Sequence, residues 1–295
     1  MSCVRPNNGG ERAHVNPRKA DPLPTISIIT AAYAPSAAYL RETIASVQTQ
    51  ELPAGWRLEW IVQEDGAAPS LAHQFARVPC VRYEANGAQL GIAATRNLGL
   101  SRATGDLVQV LDCDDVLLPG ALKSLIPKFV EHRIHWAVGQ ADDLMPDGSR
   151  VEWKSALPYG VVPAGSVNRW AEEHGGNWPI HCAGLMMRAI SLRAIGGWVG
   201  LPGDEDIAMF AALSEITDGY NFDGVTWLYR QHPQQVTRSK ATRQLSEGCR
   251  RLSLQRVKAL QMAGLNFGSV RQFDFDHGVH QVNVGPAAKG ADKGI

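Results

Sequence analysis

Short apolar runs alternate with amphipathic segments through the first part of the chain. Each run is rich in β-branched residues and short enough for a buried strand, whereas each intervening segment repeats its apolar residues at the spacing of a helix. Such alternation with short links is typical of a mostly parallel sheet covered on both faces by helices. The predicted strands are residues 26–30, 58–63, 80–83 and 106–111, and the predicted helices are residues 39–50, 92–102 and 117–130.

Beyond Trp136 the pattern becomes irregular and rich in tryptophan, and it predicts the second wall of a cleft. Residues 239–262 then have the pattern of an amphipathic helix whose basic residues form a solvated face. The sequence therefore predicts an α/β fold, as a single large domain with a C-terminal helical extension. We expect a disordered tail over 1–22, two halves of one domain over 23–130 and 131–238, and a helix with a flexible tail over 239–295.

Composition and charge exclude several classes of function. Lysine plus arginine equals aspartate plus glutamate, at 29 each in 295 residues, so no global basic field attracts nucleic acid. The five cysteines are widely spaced and form no C-x-x-C pair, which favours reduced thiols over a disulfide framework or a zinc site. The N-terminal stretch lacks the apolar core of a secretory signal, and no window approaches the roughly 20 apolar residues of a membrane span. We therefore expect a soluble, cytoplasmic protein.

The predicted strand 106–111 delivers three carboxylates, Asp112, Asp114 and Asp115, to its carboxyl end. Carboxylates this close repel one another unless a cation lies among them. Mg²⁺ and Mn²⁺ prefer oxygen ligands, and they commonly combine one or two carboxylates with substrate phosphates and water. The cluster predicts a divalent-metal site, and a cap for the helix that begins near Pro119 is the simpler alternative.

Three further motifs carry candidate chemistry. Glu64-Asp65-Gly66 directly follows a strand, where a carboxylate either accepts hydrogen bonds from a base or ribose or simply forms a turn. Residues 91–106 open a helix at a glycine and place Arg96 either near a diphosphate or on the protein surface. Residues 203–210 place three acids at a helix start, which suits either the helix dipole or a general base near the cleft.

In this order the motifs resemble the inverting family 2 glycosyltransferases, which have the GT-A fold. The resemblance covers residues 25–238, and its specificity lies in the order of the motifs. Two positions differ from the family's pattern, since Ala34 stands in place of an asparagine and Glu64 in place of an aspartate. The matching segments are Ala31-Ala32-Tyr33-Ala34, Glu64-Asp65-Gly66-Ala67, Thr95-Arg96-Asn97-Leu98-Gly99, Ala103-Thr104-Gly105-Asp106, Asp112 to Asp115 with Pro119, Gly196-Gly197-Trp198, Glu205-Asp206 and Tyr229-Arg230-Gln231-His232.

The resemblance implies the transfer of a sugar from a nucleotide-diphosphate donor, most often a UDP-sugar, to a hydroxyl of a small-molecule, saccharide or lipid-linked acceptor. It implies Mn²⁺ or Mg²⁺ as the cofactor, residues 23–130 as the nucleotide-sugar-binding half and residues 131–238 as the acceptor-binding half. By the same resemblance Tyr33 would stack on the base, Asp65 with Glu64 would hydrogen-bond it, and Arg96 would lie near the nucleotide. Asp112 would contact ribose or metal, Asp114 would bind metal, and His232 would reach metal or diphosphate. Asp206 would be the catalytic base.

Two other functions stay open on the sequence. A nucleotide-sugar-binding protein without turnover would keep the fold and Asp114, but the presence of Asp206 counts against it. A nucleotidyltransferase also places carboxylates and Mg²⁺ on an α/β sheet, but it usually needs a glycine-rich basic loop after the first strand. Residues 30–39 contain neither lysine nor arginine.

Overall fold

The computed structural model describes residues 23–235, 238 and 240–268, and most of each predicted tail lies outside them. Ten strands within these residues form one sheet, which eight helices flank. The strands are β1 Thr25–Ala32, β2 Arg57–Glu64, β3 Val81–Ala85, β4 Leu107–Val110, β5 Val116–Leu117, β6 Trp136–Leu144, β7 Arg150–Glu152, β8 Gly160–Val162, β9 Met186–Arg188 and β10 Gly219–Arg230. The helices are α1 Leu40–Gln48, α2 Ala72–Phe75, α3 Ile92–Arg102, α4 Ala121–Glu131, α5 Ser166–Glu173, α6 Ala189–Ala194, α7 Glu205–Ile216 and α8 Lys240–Met262. The α/β class is confirmed.

The first half of the sheet is parallel, as the alternation of strands and helices predicts. β1 pairs in parallel with both β2 and β4, and β2 pairs in parallel with β3. Alternate side chains of β1 enter two different apolar clusters, since Ile28 belongs to one and Ile29 to the other. Both faces of this strand are therefore covered, which explains its nearly continuous apolar sequence.

Antiparallel strands enter the sheet in the second half, where the sequence pattern becomes irregular. The sheet order is β3-β2-β1-β4-β9-β6-β10-β5, with β7 beside β6 and β8 beside β10. β9 is antiparallel to both β4 and β6, whereas β6 and β10 are parallel. β10 shifts its register against β6 between Asn221 and Val225, and again between Val225 and Trp227. Such bulges bend a strand and redirect its side chains, so a strict two-residue alternation fails here.

Two apolar clusters hold the sheet and its helices together. Trp60 and Phe75 meet edge to face in the first, with ring centroids 5.5 Å apart. Trp136 and Phe210 do the same in the second, at 4.9 Å. Aromatic pairs prefer this geometry, and close-packed interiors of this kind resist deformation. The strand ends that carry the acidic motifs are therefore fixed from both sides.

The predicted C-terminal helix is present as α8, which packs against α7. Cys249, Ser253 and Val257 are buried at helical spacing, and Arg251 is exposed, as expected of an amphipathic helix. Arg256 does not join the predicted solvated face, because its guanidinium donates to the Ile195 carbonyl at 2.9 Å. None of the helices in the described part of the chain combines the length and the apolar character that crossing a membrane requires.

Candidate active site

The carboxyl ends of three neighbouring parallel strands carry the predicted donor-side residues. β1 leads into Tyr33, β2 leads into Asp65, and β4 leads towards Asp112. The Asp65 N–H donates to the Ala32 carbonyl at 2.7 Å, which ties the ends of β1 and β2 together. Tyr33 is 36% exposed, so its ring is accessible at this edge. Parallel sheets bind ligands at the carboxyl ends of their strands, and the topology gathers these side chains there.

The Asp65 carboxylate organises the loop that leads into α3. Its Oδ1 accepts hydrogen bonds from the Leu90 N–H at 2.6 Å and from Asn86 Nδ2 at 3.1 Å. Its Oδ2 accepts a hydrogen bond from the Gly91 N–H at 3.0 Å. Gly91 has a φ of +87°, a backbone conformation that favours glycine. Asp65 thereby fixes the start of the helix that carries Arg96.

Glu64, the first acid of this motif, is enclosed by the protein. It is 1% exposed and accepts hydrogen bonds from the hydroxyls of Ser70 and Tyr83 and from the Leu71 N–H, the last at 3.0 Å. Burial opposes ionisation, but these hydrogen bonds outweigh it and hold the pKa of Glu64 below its usual value. Glu64 therefore anchors the turn after β2, and its contact with a base stays a prediction.

Arg96 joins two acidic motifs that lie far apart in the sequence. Its side chain is almost completely buried, with Nη2 at 2.6 Å from Asp112 Oδ1 and Nη1 at 2.8 Å from Glu205 Oε1. The guanidinium also lies over the ring of Trp198. Burial disfavours its charge, but the neighbouring carboxylates, Asp112 first, raise the pKa of Arg96 above its usual value. A permanent positive charge is thus held between the start of α7 and the segment after β4 that contains Asp112, Asp114 and Asp115, which we call the acidic loop.

We expect Arg96→Gln to lower the free energy of unfolding by about 3–5 kcal/mol, because it leaves two largely buried carboxylates without their counter-charge. Urea denaturation at neutral pH measures this loss. Arg82→Gln is the matched control, since Arg82 makes a half-exposed ion pair with Glu59 of a kind that contributes roughly 0–1 kcal/mol. Equal losses in the two variants would contradict a structural bridge at Arg96.

Asp114 belongs to the same acidic loop, and its carboxylate contacts the imidazole of His232. His232 Nε2 lies 2.8 Å from Asp114 Oδ2, and the His232 ring lies 5.0 Å from the ring of Tyr39. The His232 side chain is buried, whereas that of Asp114 is 19% exposed. Burial and then the charge of Asp112 raise the pKa of Asp114, and the hydrogen bond with His232 opposes this shift. The structure therefore places His232 against Asp114, with the charge of Asp112 acting on the same carboxylate, and the role of these residues as metal ligands stays a prediction.

Arg230 shapes this loop, a role that its sequence pattern did not reveal. Its N–H donates to Asp115 Oδ1 at 2.9 Å, and its Nε donates to the Asp114 carbonyl at 2.8 Å. Its Nη2 pairs with Glu42 at 2.7 Å, and the guanidinium lies 4.4 Å from the ring centroid of Tyr39. Asp115 is turned inward, and burial and then the charge of Asp114 raise its pKa well above the usual value. Asp115 therefore supports the loop rather than facing the site.

The start of α7 places three acids beside Arg96. Asp204 precedes the helix with a φ of +52°, and it accepts a hydrogen bond from a serine of α8. Burial and then the charge of Asp206 raise the pKa of Glu205, the partner of Arg96, to about 7. Burial also raises the pKa of Asp206, and the charge of Arg96 opposes that shift. Within the described residues the Asp206 carboxylate accepts a hydrogen bond only from the N–H of the next residue. Of the three acids it is therefore the one that forms no hydrogen bond or ion pair with another side chain in that part of the chain.

The tryptophans of the segment that is predicted to form a second wall make different contacts. Trp198 is buried beneath Arg96, and Trp170 stacks on His174 with ring centroids 3.7 Å apart. Trp178 is half-buried and donates a hydrogen bond to a side chain of α5. Trp153 is 52% exposed. Three of these rings therefore pack against the protein itself, and the second wall expected from this half of the chain stays a prediction.

Known proteins resemble this chain over much of its length. The model of the family described as glycosyl transferase family 2 matches residues 27–191, more than half of the chain. The chain is 30% identical over 151 residues to the succinoglycan biosynthesis protein ExoO of Rhizobium meliloti, which covers 50% of this chain and 42% of that protein. It is 27% identical over 130 residues to an N-acetylglucosaminyltransferase of Mesorhizobium japonicum, which covers 42% of this chain and 30% of that protein.

A solved structure supports the same fold. The crystal structure of S. aureus TarS 1–349 in complex with UDP-GlcNAc matches with a TM-score of 0.58 and 16% identity, over 72% of this chain and 60% of that one. The chain spans less than two thirds of the length of each of these three relatives. At this identity the likeness to TarS shows a shared GT-A-like fold, and the family model extends over most of that fold. The chain belongs to glycosyl transferase family 2.

Proposed function

We propose that this protein transfers a sugar from a nucleotide-diphosphate donor to a hydroxyl acceptor, with inversion at the anomeric carbon and with a divalent cation. The observation that carries the proposal is the Arg96 bridge. It ties Asp112, at the donor edge of the sheet, to Glu205, the neighbour of the proposed base Asp206. Membership of glycosyl transferase family 2 supports the same activity.

The donor that we propose is a UDP-sugar. The structure of TarS with the matching fold contains UDP-GlcNAc. In this chain the accessible ring of Tyr33 suits stacking on a nucleobase. The Asp65 carboxylate lies at the adjacent strand end, and uracil carries an N–H group from which a carboxylate can accept a hydrogen bond. Base recognition at this edge would leave the sugar and diphosphate directed towards the acidic loop after β4.

We expect Asp65→Ala to raise the KM for the donor roughly 10- to 100-fold and to reduce the preference for one nucleobase. The loss of one charged hydrogen bond, on the order of 1.5–3 kcal/mol, accounts for that change. Kinetics with UDP-, dTDP- and GDP-sugars measure both effects, and the metal requirement should stay unchanged. Asn86→Ala is the control, because it removes a bond that holds the same loop but keeps the carboxylate. Wild-type donor affinity in Asp65→Ala would refute the assignment.

The residues around Asp114 fit a divalent cation that binds together with the donor. Asp114 and Asp112 offer carboxylate oxygens, and His232 offers an imidazole nitrogen 2.8 Å from one of them. The raised pKa of Asp114 reflects burial and the charge of Asp112, and a cation would relieve that repulsion. No group of three or more acidic, cysteine or histidine side chains in the described residues forms a metal site by itself. An ion that takes its other ligands from diphosphate and water fits this arrangement, and it would supply charge against the leaving group.

Asp206 is the residue that we assign as the catalytic base. An acceptor hydroxyl is a poor nucleophile until its proton is removed, and inversion requires attack on the face opposite the diphosphate. Asp114 and His232 would hold the leaving-group side, so the base must come from another element. Asp206 comes from α7, and burial raises its pKa and therefore its basicity. Arg96 keeps this element next to the donor loop.

A thermal-shift screen of nucleoside diphosphates, with and without Mn²⁺, combined with hydrolysis of a labelled UDP-sugar, tests the proposal. Binding to the folded state raises Tm by mass action, and slow release of the labelled sugar reports turnover. Stabilisation by UDP without any release of sugar would favour the binding protein without turnover. Incorporation from a nucleoside triphosphate would favour the nucleotidyltransferase.

A further inference from the structure

A pocket lies beyond the acidic loop, on the side remote from Tyr33 and Asp65. The middle of β6 forms its floor, and Trp153, Ser155 and His181 contribute to its walls. In the sheet order, β4 and β9 separate β6 from β1, so this pocket is distinct from the edge proposed to bind the nucleobase. We call it the His181 pocket.

His181 connects this pocket to the proposed reaction centre. The turn that follows it, Cys182–Gly184, contacts α7, the helix that carries Asp206. On the other side the imidazole contacts two aromatic rings of β10, at 4.4 Å from Tyr229 and 4.8 Å from Trp227. The charge of Asp143 and, more weakly, that of Asp112 act on the His181 ring. A ligand in the pocket would therefore lie next to the site where donor and base are proposed to meet.

The His181 ring offers hydrogen-bonding atoms that the protein does not use. Neither ring nitrogen forms a hydrogen bond with any of the described residues. Burial lowers the pKa of His181 to about 4, so the ring is neutral near neutral pH and presents one donor and one acceptor. The residue is half-buried at the pocket wall, so a ligand in the pocket can reach the ring and use this donor and acceptor.

Trp153 supplies an exposed aromatic surface at the same pocket. It is the one tryptophan among the eight, all of them in described residues, that is more than one third exposed. Its ring meets His181 in a T-shaped contact at 5.8 Å. Asn221 fixes the segment that follows, because its Nδ2 donates to Ser155 Oγ at 2.9 Å and to the Leu157 carbonyl at 3.1 Å. The wall is thus preorganised rather than a free loop.

A pyranose ring has the chemistry that fits these walls. One face of the ring presents axial C–H groups, which pack on an aromatic surface, while its edges present hydroxyls. A linear polyol has the hydroxyls but no flat apolar face. A nucleobase would also stack, but the accessible Tyr33 and the Asp65 carboxylate lie at the other side of the acidic loop.

We propose that the His181 pocket is the acceptor subsite and that it binds a pyranose ring, with Trp153 against the apolar face and His181 hydrogen-bonded to a ring hydroxyl. The acceptor class would then be a saccharide rather than a polyol or a lipid alcohol. This inference rests on the proposed transferase function, since it names the acceptor of that reaction.

Saturation-transfer NMR on the full chain, with UDP and the diamagnetic ion Mg²⁺ present, tests the inference. The probes are the methyl α- and β-pyranosides of glucose, galactose, mannose and N-acetylglucosamine, with ribitol as the linear polyol. We expect at least one pyranoside to receive saturation mainly at its axial C–H groups, and ribitol to receive none. Trp153→Ala should weaken that binding roughly tenfold, and Trp153→Phe should retain most of it, because stacking needs only an aromatic face. His181→Gln should weaken it about three- to tenfold.

Trp170→Ala is the matched control, because Trp170 is stacked on His174 away from the pocket. It should bind the pyranoside as the wild type does. The rise in Tm on addition of UDP, measured in every variant, reports donor binding independently of pyranoside binding. It therefore separates this inference from the proposed function. If UDP stabilises the protein but no pyranoside binds, or if Trp153→Ala and Trp170→Ala behave alike, the acceptor assignment is wrong and the donor chemistry stands. If neither UDP nor any other nucleoside diphosphate stabilises the wild type, the proposed function itself fails.

Discussion

Asp206→Asn is expected to lower kcat by roughly 10²–10⁴-fold, the usual contribution of a general base. Asparagine keeps the shape and the hydrogen bond to the following N–H, but it cannot accept the proton of the acceptor hydroxyl. Donor binding by calorimetry should stay near that of the wild type, since Asp206 lies on α7 rather than at the donor edge. Steady-state kinetics together with UDP titration separate these two effects.

The neighbouring Asp204 provides the matched control. Its carboxylate accepts a hydrogen bond from Ser246, and asparagine can keep that bond, so Asp204→Asn should retain activity within a few-fold. The stereochemistry of the product gives an independent check, because inversion converts an α-linked donor into a β-linked product that NMR identifies. Retained configuration, or near-normal kcat in Asp206→Asn, would overturn the mechanism.

The pH profile distinguishes a base from a structural acid. Asp206 must be ionised to accept a proton, so kcat/KM should fall as the pH drops through its pKa. Burial raises that pKa, and the acid limb should therefore lie above the ordinary aspartate range near ~3.9. The residual activity of Asp206→Asn should lack this limb.

The strands and helices of the first half of the domain follow from local patterns, and the sequence predicts them well. α3 agrees with its prediction at both ends, because Gly91 starts the helix at a positive φ and periodic apolar residues continue it. The carboxyl ends of the strands also agree with their predictions, because an apolar run that stops at acidic residues indicates where a buried strand ends. The second half was harder, because the register shifts of β10 interrupt the two-residue alternation that predicts a strand.

The side-chain network of the site could not be predicted, because it depends on contacts between distant segments. The pairing of Arg96 with Glu205 joins α3 to α7, and nothing in either local sequence specifies the partner. The contacts of Arg230 with the acidic loop join the end of β10 to the segment that follows β4 in the same way. Glu64 illustrates the converse, since a motif suggested ligand contact but three hydrogen bonds enclose the side chain. Motif order indicates the candidate site, and packing decides which atoms are free to face it.

Removal of divalent metal is expected to abolish transfer and to weaken the binding of nucleoside diphosphate, and Asp114→Ala is expected to do the same. The cation would offset the repulsion between the carboxylates of the acidic loop and the diphosphate. Calorimetric titration with UDP, before and after treatment with EDTA and after addition of Mn²⁺ or Mg²⁺, measures the effect without requiring turnover. Asp223→Ala is the control, because Asp223 is an exposed acid of β10.

His232 decides how the metal site is built. If its Nε2 binds the cation, His232→Gln should reduce the apparent metal affinity, and UDP binding should recover at higher Mn²⁺. If it only hydrogen-bonds Asp114 at the observed 2.8 Å, the loss of a partner that orients a metal ligand should still cost roughly 10–100-fold in metal affinity. The two cases differ in their dependence on the metal, since Mn²⁺ accepts nitrogen ligands more readily than Mg²⁺. Direct ligation therefore predicts that His232→Gln lowers Mn²⁺ affinity more than Mg²⁺ affinity, whereas an orienting role predicts equal losses. Full activity of the wild type in excess EDTA would contradict both.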